Sequence, residues 1–320
     1  MSAALLESAV QESAPTSAVI GATHSLSYEI VGPAHAPVVV VLGGISASRH
    51  VTSSNQDPRP GWWERFVGPG RTIDTNRVRV LSIDYLTPRR KGKLLSTHDQ
   101  ARALASALDA AEIPRVHAVV GASYGGMVAL AFGEIARERV SRLIIIGAAH
   151  ESSPMATALR LLQRRIVALG ILSGSSEEAL VVARGLALTT YSSADEFELR
   201  FGASVAGDAE ERCRTIGDYL RTSGARFAET CTAERFLALA ESIDLHQVDP
   251  ASVRVPSTVI AVREDALVPV SQARELASRL GAPCNLVEVS SHHGHDTFLN
   301  APELIAPAVI TALTSTGIQQ

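Results

Sequence analysis

The chain has 320 residues, a formal net charge of -4 at pH 7 and no block of basic residues. It therefore lacks the electrostatic pattern of a nucleic-acid-binding protein, and a small-molecule partner is favoured. The three cysteines are odd in number and widely spaced, which argues against a disulfide framework and against a zinc site. We expect reduced cysteines and no metal.

The N-terminal segment is mostly small and polar, and it lacks the basic and apolar regions of a secretory signal. We interpret residues 1–25 as a flexible extension. No apolar run elsewhere in the chain is long enough to span a bilayer, so we predict a cytoplasmic protein without membrane contact.

Six short apolar runs, separated by helical patterns, follow this segment. Runs that are apolar throughout are typical of strands in a parallel sheet covered on both faces. One helical pattern, over 97–113, begins with a candidate N-cap at Thr97. The alternation predicts an α/β core, with a mostly parallel sheet and helices on both faces, from residues 26–150 and 251–320. The strand candidates are 36–44, 77–86, 116–123, 142–150, 257–265 and 284–291.

The alternation stops over residues 151–250, where five helical patterns occur without a strand candidate. Open α/β sheets bind ligands beyond the carboxyl ends of their strands. We therefore interpret this block as a helical lid over those ends. A helical layer with no part in binding is the alternative.

The stretch "GASYG" (121–125) matches G-x-S-x-G between a strand candidate and a helical pattern. A nucleophile on so sharp a turn needs glycines at Gly121 and Gly125, because side chains there would collide with neighbouring backbone. The turn also places Ser123 at a helix N-terminus, where free N–H groups stabilise an oxyanion. Ser123 is thus the candidate nucleophile, and an ordinary turn is the alternative.

A serine nucleophile requires an acid and then a histidine further along the chain. Asp265 follows a strand candidate and is favoured over Glu264, because it lies one step further beyond the strand. Three histidines, His292, His293 and His295, follow the last strand candidate. We choose His295, since Gly294 lets the loop turn inward, and we expect the other two to be exposed.

An oxyanion site needs a second N–H donor from the loop after the first long strand. Gly43 and Gly44 allow a close backbone approach there, so we predict that Ile45 and Tyr124 supply the two N–H groups. A phosphate-binding loop is disfavoured, because the chain has neither G-x-x-x-x-G-K-[ST] nor G-x-G-x-x-G at this point.

Together with these residues, four longer segments resemble the homoserine O-acyltransferases of the α/β-hydrolase fold, over about residues 25 to 315. The segments are "GWWERFVGPGRTIDTNRVRVL" (61–81), "ARGLALTTYSSADEFELRFG" (183–202), "GDYLRTSGARFAE" (217–229) and "GHDTFL" (294–299). The resemblance implies that Ser123, Asp265 and His295 form a catalytic triad. It also implies that Arg184 holds the carboxylate of an amino-acid substrate and that Asp296 holds its amine. One cation and one anion suit these two groups by charge-assisted hydrogen bonding.

The chain departs from the family near the expected acyl site. It has "GGISA" (43–47) where longer members have His-Ala-Leu-Thr-Gly, and Tyr124 where they have Met; the loop after Asp84 and the lid are shorter. These differences bear on the acyl donor. Arg49 is a candidate cation for a succinyl carboxylate, with an ordinary surface arginine as the alternative.

The sequence thus predicts an enzyme that transfers an acyl group from acyl-CoA to L-homoserine for methionine biosynthesis. Succinyl is favoured over acetyl, and no cofactor is expected beyond the acyl-CoA co-substrate. Serine as the acceptor, an esterase using the same triad, and an inactive binding protein stay open as alternatives. The oligomeric state also stays open, with a homodimer as one expectation.

Overall fold

The computed structural model describes residues 13–20, 24–88, 94–202 and 207–315. Strands and helices alternate along most of this length. The strands are β1 (Ser13–Ile20), β2 (His24–Val31), β3 (Val38–Leu42), β4 (Val67–Gly68), β5 (Ile73–Asp74), β6 (Arg79–Ile83), β7 (Ala118–Ala122), β8 (Leu143–Ile146), β9 (Ser257–Val262) and β10 (Cys284–Val289). The helices are α1 (Thr97–Ala110), α2 (Tyr124–Ile135), α3 (Pro154–Ser173), α4 (Ser176–Tyr191), α5 (Ala194–Phe201), α6 (Ala209–Ala228), α7 (Ala233–Asp244), α8 (Val270–Arg279), α9 (Thr297–Asn300) and α10 (Ala306–Thr314).

Eight of these strands form one sheet in the order β1-β2-β6-β3-β7-β8-β9-β10. The six strands from β6 to β10 in this order are parallel, while β1 and β2 are antiparallel additions at one edge. All six predicted strands lie in the parallel part. The next two strands of this sheet in sequence, β6 and β7, lie on opposite sides of β3. Ligands bind in open α/β sheets at such a switch point.

Successive residues of the central strands point to opposite faces of the sheet. In β3, Val40 and Leu42 join the core under α1, α2 and α8, whereas Val39 and Val41 join the core that contains α10. Burial on both faces explains why the strand sequences are apolar throughout.

The edge strands correct one expectation. Residues 13–20, expected in a flexible extension, form β1 and pair antiparallel with β2. In β2 the apolar residues Leu26, Tyr28 and Ile30 recur with period 2 and are buried, and this alternation is the sequence signal for the strand. Residues 1–12 and 21–23 of the predicted extension lie outside the described residues.

The start of α1 corrects a second detail. The N-cap is Ser96, not Thr97: the Ser96 hydroxyl accepts from the N–H of Asp99, and the Asp99 carboxylate accepts from the N–H of Ser96 at 2.9 Å. This reciprocal pair is a capping box. Thr97 is instead fully buried, and its hydroxyl bonds His246 at 2.7 Å.

Helices α3 to α7 form an inserted helical block between β8 and β9. The block has its own apolar core, to which α3, α4, α6 and α7 contribute buried side chains such as Val167, Ala183, Phe227 and Phe236. Among the described residues, no helix combines the length and the apolar character needed to cross a membrane.

Candidate active site

Ser123 lies between β7 and α2 with φ 55° and ψ -121°, a backbone conformation that non-glycine residues rarely adopt. The neighbouring glycines make this turn sterically feasible. A Cβ atom at Gly121 would lie 2.2 Å from the carbonyl oxygen of Gly125, and one at Gly125 would lie 2.2 Å from that of Leu42. The strain presents the Ser123 hydroxyl beyond the carboxyl end of the sheet.

Three side chains from separate loops form a hydrogen-bonded chain. The Ser123 hydroxyl lies 2.8 Å from Nε2 of His295, and Nδ1 of His295 lies 2.7 Å from Oδ2 of Asp265. The other oxygen of Asp265 accepts from the N–H groups of Leu267 and Val268 at 2.8 and 2.9 Å. Asp265 is therefore fixed in place, and its contact with Nδ1 leaves Nε2 of His295 directed at the Ser123 hydroxyl, which is the geometry of a catalytic triad.

The structure separates the competing candidates. Glu264 accepts hydrogen bonds from the Ser290 hydroxyl and from the N–H of Ser291, so it fastens the end of β10 and does not contact His295. His292 is exposed as expected, but His293 is only partly exposed, because it lies 3.2 Å from a carboxylate oxygen of Glu196.

The environment of His295 adjusts its basicity. Burial lowers the pKa of His295, but the charge and hydrogen bond of Asp265 raise it, and the net pKa lies above the ordinary value. A more basic imidazole is a better acceptor for the Ser123 proton, provided that the pH keeps it neutral.

Two backbone N–H groups next to Ser123 are unused. None of the hydrogen bonds among the described residues uses the N–H of Ile45 or that of Tyr124. Both residues line the cavity that contains Ser123. The loop that carries Ile45 is fixed by Gly43, whose carbonyl accepts from the N–H of Gly125 at 3.0 Å and from the hydroxyl of Tyr85 at 2.6 Å. The pair can therefore act as preorganised oxyanion donors.

A cavity of about 160 Å³ opens onto Ser123, and both Arg184 and Asp296 line it. The Arg184 guanidinium lies against the rings of Tyr191 and Phe227, with centroid distances of 4.9 and 4.8 Å. It forms no ion pair with any residue of the described part of the chain. Burial raises the pKa of Asp296, against the lowering effect of the charges on His295 and Arg184. Arg184 and Asp296 thus give the cavity a basic and an acidic side chain that form no ion pair with the described residues.

Comparison with known proteins identifies the family. Residues 37–302 match the sequence model of a family described as the alpha/beta hydrolase fold. A homoserine O-succinyltransferase of Xanthomonas campestris pv. campestris is 42% identical over 299 residues, which cover 91% of this chain and 79% of that protein. The chain belongs to the homoserine O-acyltransferase family.

Other relatives have different donors and acceptors in their names. An L-serine/homoserine O-acetyltransferase of Streptomyces lavendulae is 32% identical over 89% of this chain and 90% of its own length. Among solved structures, a homoserine O-acetyltransferase from Staphylococcus aureus superposes with a TM-score of 0.81 over 96% of this chain and 97% of that chain, at 22% identity. The predicted α/β-hydrolase fold, the family resemblance and the acyltransferase class are confirmed.

Tyr124 directly follows Ser123, at a position where this acyltransferase differs from the longer members of its family. Its side chain is buried, packs edge-on against Tyr85 at 4.7 Å between centroids, and shares a 2.7 Å hydrogen bond with the hydroxyl of Ser242. Burial raises the pKa of the Tyr124 phenol. The side chain thus links the nucleophile turn to α7 of the inserted block.

Arg49 requires a correction. Its backbone N–H donates to Oδ1 of Asp84 at 2.8 Å, and its guanidinium pairs with the other oxygen of the same carboxylate. Arg49 does not line the cavity above Ser123. The structure therefore does not support the expectation that Arg49 binds a succinyl carboxylate.

The "GWWERFVGPG" segment braces the loop that carries His295. The indole N–H of Trp63 donates to the carbonyl of Phe298 at 2.7 Å, and Trp63 stacks on Phe66. A Cβ atom at Gly61 would lie 2.0 Å from the carbonyl carbon of Val51, so only glycine fits there. This segment thus contacts the region just after His295, more than 200 residues further along the chain.

Sequence reasoning missed two further residues of the cavity. Arg160 and Gln163 line it from α3. A basic and an amide residue three positions apart in a helical pattern are usually solvent-facing, so the pattern gave no sign of their burial. Among the described residues, no cluster of three or more His, Cys, Asp or Glu side chains is arranged to hold a metal ion.

Proposed function

We propose that this protein is a homoserine O-succinyltransferase that works through an acyl-enzyme on Ser123. The observation that carries the proposal is the presence of Arg184 and Asp296, both without ion-pair partners in the described residues, in the cavity that contains Ser123. An amino acid offers a carboxylate and an ammonium group to these two side chains. The name of the Xanthomonas relative supports both homoserine and succinyl.

In the first half-reaction, Nε2 of His295 takes the Ser123 proton and Oγ attacks the thioester carbonyl of succinyl-CoA. The N–H groups of Ile45 and Tyr124 stabilise the oxyanion. The carbon–sulfur bond then breaks, His295 returns the proton to the sulfur, and CoA leaves as a thiol. Ser123 now carries a succinyl ester.

In the second half-reaction, Arg184 and Asp296 hold homoserine with its side-chain hydroxyl facing the ester. His295 takes the hydroxyl proton, and the oxygen attacks the acyl carbon. The bond from that carbon to Oγ of Ser123 breaks, and His295 returns the proton to Ser123. The product is O-succinylhomoserine, and the enzyme needs no cofactor beyond the acyl-CoA substrate.

We propose that residues 151–250 act as a lid that favours the amino acid over water as acceptor. Side chains from α3 and α4 line the cavity, which supports this role. The lid also contacts the catalytic loop, because the Ser193 hydroxyl donates to the carbonyl of His292 at 2.6 Å.

We also propose a homodimer formed through α3. Leu161, Leu162, Leu169 and Leu172 are exposed and lie within an arc of about 100° on this helix. Four exposed leucines on one side of a helix support association through this face. The cytoplasmic location stays a prediction.

L-Serine is the second candidate acceptor, since the Streptomyces relative is named for both amino acids. The test offers equal concentrations of succinyl-CoA and acetyl-CoA together with equal concentrations of L-homoserine and L-serine, and identifies the products by mass spectrometry. We expect O-succinylhomoserine as the main product. Release of free acid at a rate independent of the amino acids would contradict acyl transfer, and O-acetyl products would overturn the assigned donor.

A further inference from the structure

The inner face of α3 carries a polar pair that the mechanism above does not use. Ala156, Arg160 and Gln163 follow the helical spacing i, i+4, i+7, and all three line the cavity of Ser123. Polar side chains on the buried face of an otherwise amphipathic helix require partners.

Gln163 has no such partner. The residue is only 4% exposed, and no hydrogen bond joins its side chain to any residue of the described ranges. Its amide atoms are not among the fully buried unpaired polar atoms of the described residues, so they open onto the cavity, where a ligand or water can satisfy them. The amide of Gln163 can therefore donate to a polar ligand in the cavity.

Arg160 is held in place from one side. Its Nε donates to Asp244 at 2.7 Å, and its Nη2 donates to the hydroxyl of Ser152. Its Nη1 has no partner among the described residues. A planar guanidinium fixed by two of its nitrogens presents the third without further loss of side-chain entropy.

The ion pair of Arg160 belongs to a small network. Nη2 of Arg164 lies 3.8 Å from the other oxygen of Asp244, and Nη1 of Arg164 lies 3.4 Å from Glu241. Arg164 does not line the cavity. Of the two arginines that line it, Arg184 is assigned to the acceptor, which leaves Arg160 for another anion.

We infer that Arg160 and Gln163 bind the distal carboxylate of the succinyl group and thereby select a dicarboxylic acyl donor over acetyl. The inference rests on the proposed function, since it concerns the donor of that same reaction. A charged guanidinium and a neutral amide N–H together match the two oxygens of a carboxylate. An acetyl group has no atom at that position and leaves both side chains unpartnered.

The test measures the CoA burst without an amino-acid acceptor, for succinyl-CoA and for acetyl-CoA. In Arg160→Met we expect kcat/KM for succinyl-CoA to fall by about 100-fold, while the acetyl-CoA value changes by less than about threefold. In Gln163→Leu the succinyl-CoA value should fall by about tenfold for the same reason. Arg164→Met is the matched control, because it also removes a partner of Asp244 but leaves the donor preference unchanged.

Equal losses for both donors in Arg160→Met would overturn the inference, since they would indicate a structural role in the lid. An unchanged succinyl-CoA value would overturn it as well. If the wild-type enzyme transfers acyl groups to homoserine while Arg160→Met keeps the donor preference, the inferred carboxylate site is wrong but the proposed function stands. If the wild-type enzyme is acylated by neither donor, both the proposed function and the inferred site are wrong.

Discussion

Asp265 and His295 are joined by a buried hydrogen bond, and the consequence for catalysis is a dependence on pH. The pKa of His295 is raised by Asp265 against the effect of burial. Only the neutral imidazole can accept the Ser123 proton. The acylation rate should therefore be highest above the raised pKa of His295 and should decline as the pH falls through it.

Asp265→Asn tests this relation. Without the carboxylate charge the pKa of His295 falls, so the acidic limb of the pH–rate profile should move to lower pH, while the rate drops by about 10³- to 10⁴-fold. The measurement is the rate of CoA release against pH. Glu264→Gln is the control, because it changes the neighbouring carboxylate, which does not contact His295. The acidic limb of its pH–rate profile should lie at the wild-type pH.

Arg184 is expected to act on the acceptor alone. Arg184→Met keeps most of the packing against Tyr191 and Phe227 but removes the charge, so KM for homoserine should rise by about 100-fold while the acylation burst stays within about twofold. Arg200→Met is the control, since Arg200 lies similarly over Tyr219 at 4.9 Å but does not line the cavity. An unchanged homoserine KM in Arg184→Met would rule out the assigned role.

At the scale of the elements, helix α2 of the core and helix α7 of the inserted block are joined by the Tyr124–Ser242 hydrogen bond. Tyr124→Phe removes this bond in a buried setting and leaves the Ser242 hydroxyl unpaired, so the free energy of unfolding should fall by about 1–3 kcal/mol. Chemical denaturation measures this loss. Ser242→Ala in the Tyr124→Phe background should cost little more, because the pair acts as a unit.

Tyr219→Phe serves as the comparison for that series. The Tyr219 hydroxyl has no hydrogen bond among the described residues, so its removal should leave stability within about 0.5 kcal/mol of wild type. Equal effects of Tyr124→Phe and Tyr219→Phe would show that the contact between α2 and α7 does not contribute to stability.

The elements also show which features a sequence can predict. The six parallel strands were predictable because their sequences form short apolar runs, and burial on both faces explains this pattern in the central strands, such as β7, β8 and β9. β2, which lies between β1 and β6, was missed, since its sequence alternates polar and apolar residues and contains no apolar run. The order of Ser123, Asp265 and His295 follows from the fold, and the structure brings them together. In contrast, Arg160 pairs with Asp244 across 84 positions, and no local pattern records such a contact.

At the scale of the whole molecule, the exposed face of α3 predicts association of two copies. Leu172 is 80% exposed and lies on the face formed by Leu161, Leu162 and Leu169. Leu172→Glu would place a charge in the interface, so light scattering after size-exclusion chromatography should show a dimer for wild type and a monomer for the variant.

Leu199→Glu is the control for this prediction, because Leu199 is 64% exposed but lies on α5, away from that face. It should remain dimeric. A monomeric wild-type protein, or a variant Leu172→Glu that stays dimeric, would contradict association through α3.

The central claim is that Ser123 carries the acyl group from CoA to an amino-acid hydroxyl. Intact-protein mass spectrometry after rapid mixing with succinyl-CoA tests it most directly. The account predicts a mass increase of one succinyl group that is absent in Ser123→Ala, and that disappears on addition of L-homoserine with formation of an equal amount of O-succinylhomoserine. An adduct that also forms in Ser123→Ala, or that decays equally fast without homoserine, would contradict the account.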